Sequence, residues 1–205
     1  MGSIRYVLVL FFVAIGCTHN INMANNIGPT ARISSPLDLS VGIYIPEEVR
    51  ELEIADRAEF DKFIFHIGTS IESIIIKSVN RVFSQVSVLD ILPSTDIDQT
   101  NNIDLVVIPR IVSARVQLSR DEGEFVDDAE GITSLTVELN FYNSEMVQVT
   151  NVIASGMGIA SETIGFFSRG KEEYSLSVED ALTNLSNDMV RQIYSNYDIQ
   201  KQAGK

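Results

Sequence analysis

The side chains that most often carry out chemistry in proteins are scarce in this chain of 205 residues. It has one cysteine, Cys17, and two histidines, His19 and His66, beside 28 acidic residues. A zinc site needs three or four nitrogen, sulfur or carboxylate ligands at suitable spacing, and the chain does not supply the nitrogen and sulfur. The sequence also has no G-x-S-x-G motif for a serine nucleophile. The single thiol is therefore the group whose chemical role the sequence indicates best.

The residues before Cys17 follow the order of an export signal. Arg5 supplies one positive charge, residues 6–15 form an apolar run, and a small glycine stands directly before the cysteine. About ten apolar residues is too short for a mature membrane-spanning helix, which needs roughly 20, but it fits a signal peptide. The ending AIGC at 14–17 resembles the lipobox of bacterial lipoproteins, in which the cysteine sulfur receives a diacylglyceryl group. The resemblance implies that residues 1–16 are a lipoprotein signal peptide and that Cys17 becomes the lipidated N-terminus.

The alternative for Cys17 is an unmodified thiol behind an N-terminal transmembrane or interfacial segment. The order of charge, apolar run, small residue and cysteine favours the lipoprotein interpretation. Each buried methylene contributes about 0.8 kcal/mol, so one acyl chain binds marginally and two or more, palmitate among them, give a stable membrane anchor. Thr18, rather than an aspartate, follows the cysteine. In the enterobacterial sorting pattern this predicts the cell outer membrane, with the domain facing the periplasm.

The charge balance limits the classes of partner. The formal net charge is −13, and loss of Arg5 with the signal peptide makes it −14. An acidic domain repels phosphate backbones and anionic headgroups, so we expect no nucleic-acid partner. Because Cys17 is the only cysteine, no intrachain disulfide is expected. The expected partners are the membrane, through the acyl chains on Cys17, and an envelope protein or lipid.

Composition divides the rest of the chain into three segments. Residues 17–36 are rich in Asn, Ser and Thr, contain two prolines and show no hydrophobic period, so they predict a flexible linker behind the lipidated cysteine. Residues 37–198 have the length of a single ordinary domain. Residues 199–205 are polar and predict a frayed tail.

Alternating apolar residues predict most of the strands. The segments with this pattern are residues 39–45, 63–67, 86–91, 103–118, 135–141 and 146–160. The segment 63–67 also fits a helical spacing that starts at Phe60. Pro109 cannot donate to a ladder, so we expect an edge position or a bulge there. Gly156 and Gly158 predict a bulge or the close approach of a neighbouring element.

Two other segments have the three- and four-residue spacing of an amphipathic helix. Residues 70–84 follow a capping box formed by Thr69 and Glu72. The second helix is predicted to be capped by Ser177, with Asp180 three residues later. Each helix has one apolar stripe. The predicted fold class is therefore α+β, with a largely antiparallel sheet and two amphipathic helices packed on one face as a two-layer sandwich.

The acidic clusters indicate neither a metal site nor a cofactor. The carboxylates at 47–61 and 121–130 lack the ligand spacing of a calcium loop, so a solvated face and a hydrated hairpin loop explain them better. His66 stands beside apolar residues, which indicates packing rather than titration. Phe166 and Phe167 are adjacent in a predicted loop. They either contact a partner or a lipid, or fold back over the core.

The order of these segments resembles a class of small envelope proteins. The stretches VGIYI at 41–45, FHIGTSIESIIIKSVNRVFSQVSVLD at 65–90 and DLVVIPRI at 104–111 precede a long hairpin and a closing helix. This arrangement is similar to small α/β outer-membrane lipoproteins of the YajG-like or lipopolysaccharide-assembly-lipoprotein type. Its core also resembles lipoprotein activators of penicillin-binding proteins and the curli-secretion lipoprotein. The resemblance covers most of residues 37–197 and carries over no functional residue beyond Cys17.

Three functions follow as hypotheses. The leading one is a non-enzymatic lipoprotein of the outer membrane that binds or scaffolds another component of the cell envelope. The second is a lipid or glycolipid carrier with an apolar groove near Phe166 and Phe167. The third is a carboxylate-dependent hydrolase of envelope glycans, because the distance between two acids is a tertiary property that a sequence does not show.

Overall fold

The computed structural model describes residues 16–24, 26–92, 102–122, 126–165 and 171–204. The predicted signal peptide lies outside these residues except for Gly16. The strands are β1 (Thr18–Asn22), β2 (Leu37–Tyr44), β3 (Glu53–Ala58), β4 (Asp61–His66), β5 (Phe83–Leu89), β6 (Leu105–Glu122), β7 (Val126–Asn143) and β8 (Gln148–Gly165). The helices are α1 (Glu47–Arg50), α2 (Gly68–Val82), α3 (Lys171–Ser195) and α4 (Tyr197–Gln202). None of these four helices is long and apolar enough to cross a membrane.

The larger of two sheets has five strands in the order β5-β2-β6-β7-β8. β2 pairs in parallel with β5 and β6, whereas the long pairings β6–β7 and β7–β8 are antiparallel. α3 packs against β7 and β8, and α2 packs against β5 and α3. The predicted α+β class, with a mostly antiparallel sheet and helices packed against it, is confirmed.

The core lies between this sheet and the two long helices. Every second residue of β2 and β7 points into it, as their alternating patterns predicted, and the apolar stripes of α2 and α3 close it from the other side. Its fully buried members include Val41, Ile43, Ile71, Ile75, Leu139, Phe141, Leu182 and Leu185. Burial of each such side chain stabilises the fold by roughly 1.5–3 kcal/mol, so this layer is the main source of stability.

Two glycines of β8 let the backbone of α3 approach the sheet. A Cβ atom on Gly156 would collide with the Ala181 carbonyl, and one on Gly158 would collide with the Ser177 carbonyl. Only glycine leaves room for backbone at these positions. The predicted close approach of a neighbouring element is confirmed, and that element is α3.

The predicted start of α3 is wrong. The helix begins at Lys171, so Ser177 lies in its second turn rather than at its N-cap. The Ser177 hydroxyl donates to the Tyr174 carbonyl at 2.9 Å and lies 2.9 Å from the Thr133 hydroxyl of β7. Tyr174 is fully buried and packs edge-on against Phe63. This tertiary packing favours the helix over the local capping signal, which a serine can satisfy elsewhere.

The predicted N-cap of α2, Thr69, is also wrong, because the helix begins at Gly68. The N-cap is Ile67, two residues before Thr69, and its side chain makes no capping hydrogen bond. Instead the Leu52 carbonyl accepts from the Ile67 and Gly68 amides at 3.1 and 3.0 Å. Glu72 pairs with Arg50 at 3.1 Å. The Leu52 carbonyl thus satisfies amides at the start of the helix without a side-chain cap.

The smaller sheet has three strands in the order β1-β4-β3. β1 pairs in parallel with β4, and β4 pairs antiparallel with β3. Because β1 begins at Thr18, the predicted flexible linker over residues 17–36 is wrong in the described part of that segment. Ile21 and Met23 are buried, only 6% and 7% exposed. Two apolar residues on one face, together with the open edge of β4, are enough to bind this polar segment.

The segment after β1 is held by side chains of the long helices. The Asn187 side-chain oxygen accepts from the Thr30 and Ala31 amides, both at 2.8 Å. Lys77 of α2 donates to the Ile27 carbonyl at 2.8 Å. The folded body therefore starts at the residue after Cys17 rather than at residue 37.

The predicted frayed tail is wrong as well, because residues 197–202 form α4. Asn196 caps this helix, and its side-chain oxygen accepts from the Ile199 amide at 3.1 Å. Ile199 is fully buried, which anchors the helix to the core. A single apolar residue in a polar stretch has no period, so the sequence pattern could not show this.

Pro109 lies where one side of β6 has no neighbouring strand. β2 pairs with β6 only from Leu105 to Val107, and β7 pairs with Pro109 on the other side. The register then shifts between Ile111 and Ser113. The predicted edge position is confirmed. The hairpin loop predicted around the carboxylates at 121–130 is wrong for most of that segment, because β6 extends to Glu122 and β7 begins at Val126.

Candidate functional site: the edge that carries Cys17

Cys17 directly precedes β1, the first strand of the folded body. Its side chain is exposed and forms no disulfide. Its amide donates to a carboxylate oxygen of Asp61 at 2.9 Å, and its carbonyl accepts from the Lys62 amide at 2.9 Å. The backbone of Cys17 is therefore bonded to β4 on both sides, while its sulfur faces solvent.

Asp61 joins Cys17 to the neighbouring histidine. Its second carboxylate oxygen lies 3.2 Å from Nε2 of His19. The His19 ring stacks on Phe63 with 4.9 Å between the ring centroids. After signal cleavage the Cys17 nitrogen would still carry a hydrogen, as an ammonium or as an acylated amide, so it would remain a donor to Asp61. This edge is thus compatible with a lipidated N-terminus.

The turn between β3 and β4 lies beside Cys17. It consists of Glu59 and Phe60, and Glu59 has a φ of 54°, which is uncommon for a residue with a side chain. Phe60 is 75% exposed. A shallow groove of about 390 Å³ is lined by this turn together with Cys17, Arg57 and Lys62. The edge thus combines an exposed thiol, an exposed aromatic ring and two cations.

The carboxylates around this turn have partners within the protein. Asp56 accepts from the Leu118 amide at 2.9 Å, and Glu59 pairs with Arg120 at 3.4 Å. Asp61 is bonded to Cys17 and His19. The prediction that these acids form only a solvated face is therefore wrong for three of them. They fasten the β3–β4 turn to β6 and to the segment that contains Cys17 and His19.

The second histidine lies in a separate cleft. His66 Nδ1 is 2.7 Å from a carboxylate oxygen of Glu53, and the histidine side chain is 37% exposed. It alternates with buried Phe63 and Phe65 and so faces away from the core, contrary to the prediction that it is a packing residue. The cleft, of about 660 Å³, also contains Arg50, whose guanidinium is paired with Glu72. Side chains of this cleft are thus paired, His66 with Glu53 and Arg50 with Glu72.

A buried carboxylate lies on the sheet itself. Glu138 of β7 has a side chain that is 12% exposed, and one of its oxygens accepts from two nitrogens of Arg110 at 2.7 and 2.9 Å. Its other oxygen accepts from Asn151 at 2.7 Å. The hydrogen bonds from Arg110, and then that from Asn151, hold the pKa of Glu138 below its usual value of 4.5, although burial opposes them. Glu138 is therefore ionised at neutral pH and serves the structure rather than proton transfer.

Two of the predicted site residues cannot be placed. Phe166 and Phe167 lie outside the described residues, so a contact with a partner or a lipid there stays a prediction. Among the described residues, no group of three or more His, Cys, Asp or Glu side chains is arranged to hold a metal ion.

Phe60, Asp61 and the cations beside them were missed by the sequence analysis. The sequence pattern includes Phe60 only as the start of a possible helical spacing and Asp61 only as one of many acids. One signal in the sequence does point to this turn. The alternation of Phe63 and Phe65 predicts a strand, and a strand that begins here requires a turn just before it, between Ala58 and Asp61. What makes the turn interesting is its contact with Cys17, which is 44 residues away in the chain.

The comparisons place the fold. No family model matches the chain, and no curated protein sequence matches it. A DUF330-family protein from Xanthomonas campestris has a similar structure, with a TM-score of 0.50 and 10% sequence identity over 88% of this chain and 99% of that one. At that identity the likeness concerns the fold alone, so the chain shares its architecture with this protein.

Two other solved structures are similar over most of the chain at lower scores. One is described as a homologue of a neuraminyllactose-binding hemagglutinin from Helicobacter pylori, with a TM-score of 0.44, 10% identity and coverage of 84% of this chain and 95% of that one. The other is a minor lipoprotein from Acinetobacter baumannii, with a TM-score of 0.38, 12% identity and coverage of 79% and 95%.

Proposed function

We propose that this protein is a bacterial lipoprotein that acts without catalysis, as a binding or scaffolding module of the cell envelope. The observation that carries the proposal is the position of Cys17. Its sulfur is exposed, an export-like apolar run precedes it, and its backbone is bonded to β4. Acyl chains on this sulfur would hold the folded body directly at a membrane, without an intervening linker.

The finer parts of the proposal rest on the residues near the anchor. Thr18 after the lipidated cysteine supports anchoring in the outer membrane, with the domain in the periplasm. The resemblance to lipoproteins of the YajG-like or lipopolysaccharide-assembly type supports a role in an envelope complex. Arg110 and Asn151 hold the pKa of Glu138 below its usual value, so this buried carboxylate is not suited to donate a proton, which supports a role without catalysis.

Metabolic labelling with an alkyne analogue of palmitate tests the anchor. The full chain should be labelled and should enter the detergent phase of a Triton X-114 separation, whereas Cys17→Ala should do neither. His19→Ala is the matched control, because it changes a neighbour of Asp61 and leaves the sulfur in place. An unlabelled full chain that remains in the aqueous phase would show that the protein is not a lipoprotein.

Membrane fractionation tests the destination. We expect the full chain in the outer-membrane fraction and Thr18→Asp in the inner-membrane fraction. Thr18→Ser is the control for the substitution itself. Equal distribution of all three proteins would remove the support for outer-membrane sorting without affecting the lipoprotein assignment.

In-cell cross-linking tests the binding role. The acylated chain should capture an envelope protein or lipid that Cys17→Ala recovers in smaller amount. Recovery of no partner above that control would count against the module.

A further inference from the structure

The most exposed large apolar side chain among the described residues is Phe60, at 75%. It occupies the tip of the two-residue turn between β3 and β4. An exposed phenylalanine is unfavourable in water by roughly 1.5–3 kcal/mol relative to a buried one. Nothing in the fold requires a ring at this position, since the turn is fastened through Glu59 and Asp61 rather than through Phe60.

Phe60 lies next to the place where the lipid would be attached. Lys62, two residues further along, donates its amide to the Cys17 carbonyl at 2.9 Å. Cys17 and Phe60 line the same shallow groove. Because β1 begins directly after Cys17, there is no spacer that could move the turn away from a membrane surface to which the sulfur is attached.

The charges of this edge differ from those of the whole chain. Arg57 and Lys62 are directly opposite each other on β3 and β4, an arrangement of like charges that destabilises a strand pair. The three carboxylates nearest the turn, Asp56, Glu59 and Asp61, are bonded outside the hairpin, to Leu118, Arg120, Cys17 and His19. Two cations beside an exposed ring are complementary to lipid phosphate groups above acyl chains, even though the chain as a whole has a net charge of −13.

We propose that the β3–β4 turn is a membrane-contact element. Phe60 inserts among the acyl chains of the phospholipid bilayer beside the Cys17 anchor, and Arg57 and Lys62 contact the lipid phosphates. The anchor and the turn together give the domain one orientation at the membrane, which an acyl chain alone would not do. This inference rests on the proposed lipidation of Cys17, and it adds a second, non-covalent contact.

The protein itself offers a clean probe, because its sequence contains no tryptophan. Phe60→Trp places a single indole at the turn. Tyr197→Trp is the matched control, because Tyr197 is 74% exposed and follows α3 at its C-terminal end. Phe63, close to Phe60 in β4, packs against Tyr174 near the start of α3, whereas Tyr197 follows the other end of that helix. Positions 60 and 197 are therefore separated by about the length of the helix, roughly 30 Å.

Each acylated full chain is purified from membranes and reconstituted into vesicles of phosphatidylethanolamine and phosphatidylglycerol, with and without brominated acyl chains. We expect the emission of Phe60→Trp to shift to shorter wavelength in vesicles and to be quenched by the brominated lipid. The emission of Tyr197→Trp should remain that of an indole in water. A third chain, Phe60→Trp with Arg57→Gln and Lys62→Gln, should show weaker quenching.

The outcomes separate the two proposals. If Phe60→Trp is acylated and stays with the vesicles but its emission is unquenched, or is quenched no more than that of Tyr197→Trp, the membrane-contact element is disproved and the lipoprotein assignment stands. If neither chain is acylated, both proposals are overturned. Circular dichroism that matches the unchanged chain confirms that each substitution left the fold intact.

Discussion

The two sheets of this protein are built on different principles. The five-stranded sheet is stabilised by close packing of apolar side chains. Its inner face packs against α2 and α3, and the backbone of α3 contacts β8 at Gly156 and Gly158. The three-stranded sheet is small, and its parts are joined by specific hydrogen bonds. Asp61 binds Cys17 and His19, and Asp56 binds the Leu118 amide of the larger sheet.

The two sheets therefore have different roles: the larger one stabilises the fold, and the smaller one positions Cys17 and the β3–β4 turn. Close packing in the larger sheet makes the fold stable whether or not an anchor is present. The smaller sheet contributes less apolar burial, but it determines where Cys17 and the β3–β4 turn lie relative to the body. Four substitutions in unacylated protein comprising residues 17–205 test these two roles, and their expected effects decrease from Gly158 to Glu138.

The largest effect is expected in the larger sheet from Gly158→Val. The new side chain would collide with the Ser177 carbonyl, so α3 would have to move away from β8. Overpacking of this kind costs about 3 kcal/mol in the free energy of unfolding. Met157→Val is the control, because Met157 is 53% exposed on the opposite face of the same strand. Urea unfolding measures both, and equal stability of the two variants would contradict the role assigned to close packing.

The next effect concerns β1. Ile21→Ala removes a buried side chain from the segment that the sequence predicted to be a linker, and we expect a loss of about 2–3 kcal/mol. Asn20→Ala changes an exposed neighbour on the same strand and should cost little. If both variants unfold at the same urea concentration as the unchanged protein, residues 18–22 behave as a linker in solution.

A smaller effect is expected at Asp61. Asp61→Ala removes the acceptor of the Cys17 nitrogen, a terminal ammonium in this protein, and the partner of His19, which should cost about 1–2 kcal/mol. The loss should be local, with faster hydrogen exchange in β1 and unchanged exchange in β7. Glu48→Gln, an exposed carboxylate change on α1, is the control. If hydrogen exchange became faster by the same factor in β7 as in β1, the smaller sheet would not be a unit that unfolds separately from the larger one.

The smallest effect is expected at Glu138, and it depends on pH. Glu138→Gln removes an ion pair with an exposed arginine, so we expect a loss of about 1 kcal/mol at neutral pH. Because folding lowers the pKa of Glu138, the carboxylate stabilises the protein above its usual value of 4.5 and this contribution disappears as the pH falls through the lowered pKa.

The difference in the free energy of unfolding between the unchanged protein and Glu138→Gln should therefore decrease below pH 4.5. Urea midpoints across a pH series measure it. A gap that is constant with pH would show that the substitution acts through packing rather than through charge.

Local patterns predicted much of the larger sheet. The alternation of β2 and β7, the stripe of α2 and the glycines of β8 are periodic or conformational signals that neighbouring residues carry by themselves. The helix starts were predicted less well. α2 begins before Thr69, where the Leu52 carbonyl accepts from the Ile67 and Gly68 amides. α3 begins before Ser177, and its first turns bury Tyr174. A side-chain cap is one of several ways to satisfy the amides at the start of a helix, and the sequence does not show which acceptor is used.

The candidate site was predicted only at its centre. Cys17 was found because the order of charge, apolar run, glycine and thiol is local. Phe60 and Asp61 were not, because their importance depends on β1 pairing with β4 across more than 40 residues. Polar β1 contains too few apolar residues for a recognisable period, yet the open edge of β4 offers it a full set of backbone partners.

The sequence by itself determined the candidate anchor chemistry at Cys17, the class of fold and the inward faces of its main strands, because these depend on residue type and short spacing. Only the tertiary structure decided that the backbone of Cys17 is bonded to β4 and that an exposed ring and two cations lie beside it. The physical reason is that strand pairing between distant segments is chosen by which edges remain open after the core has formed. No local pattern in β1 could reveal that choice.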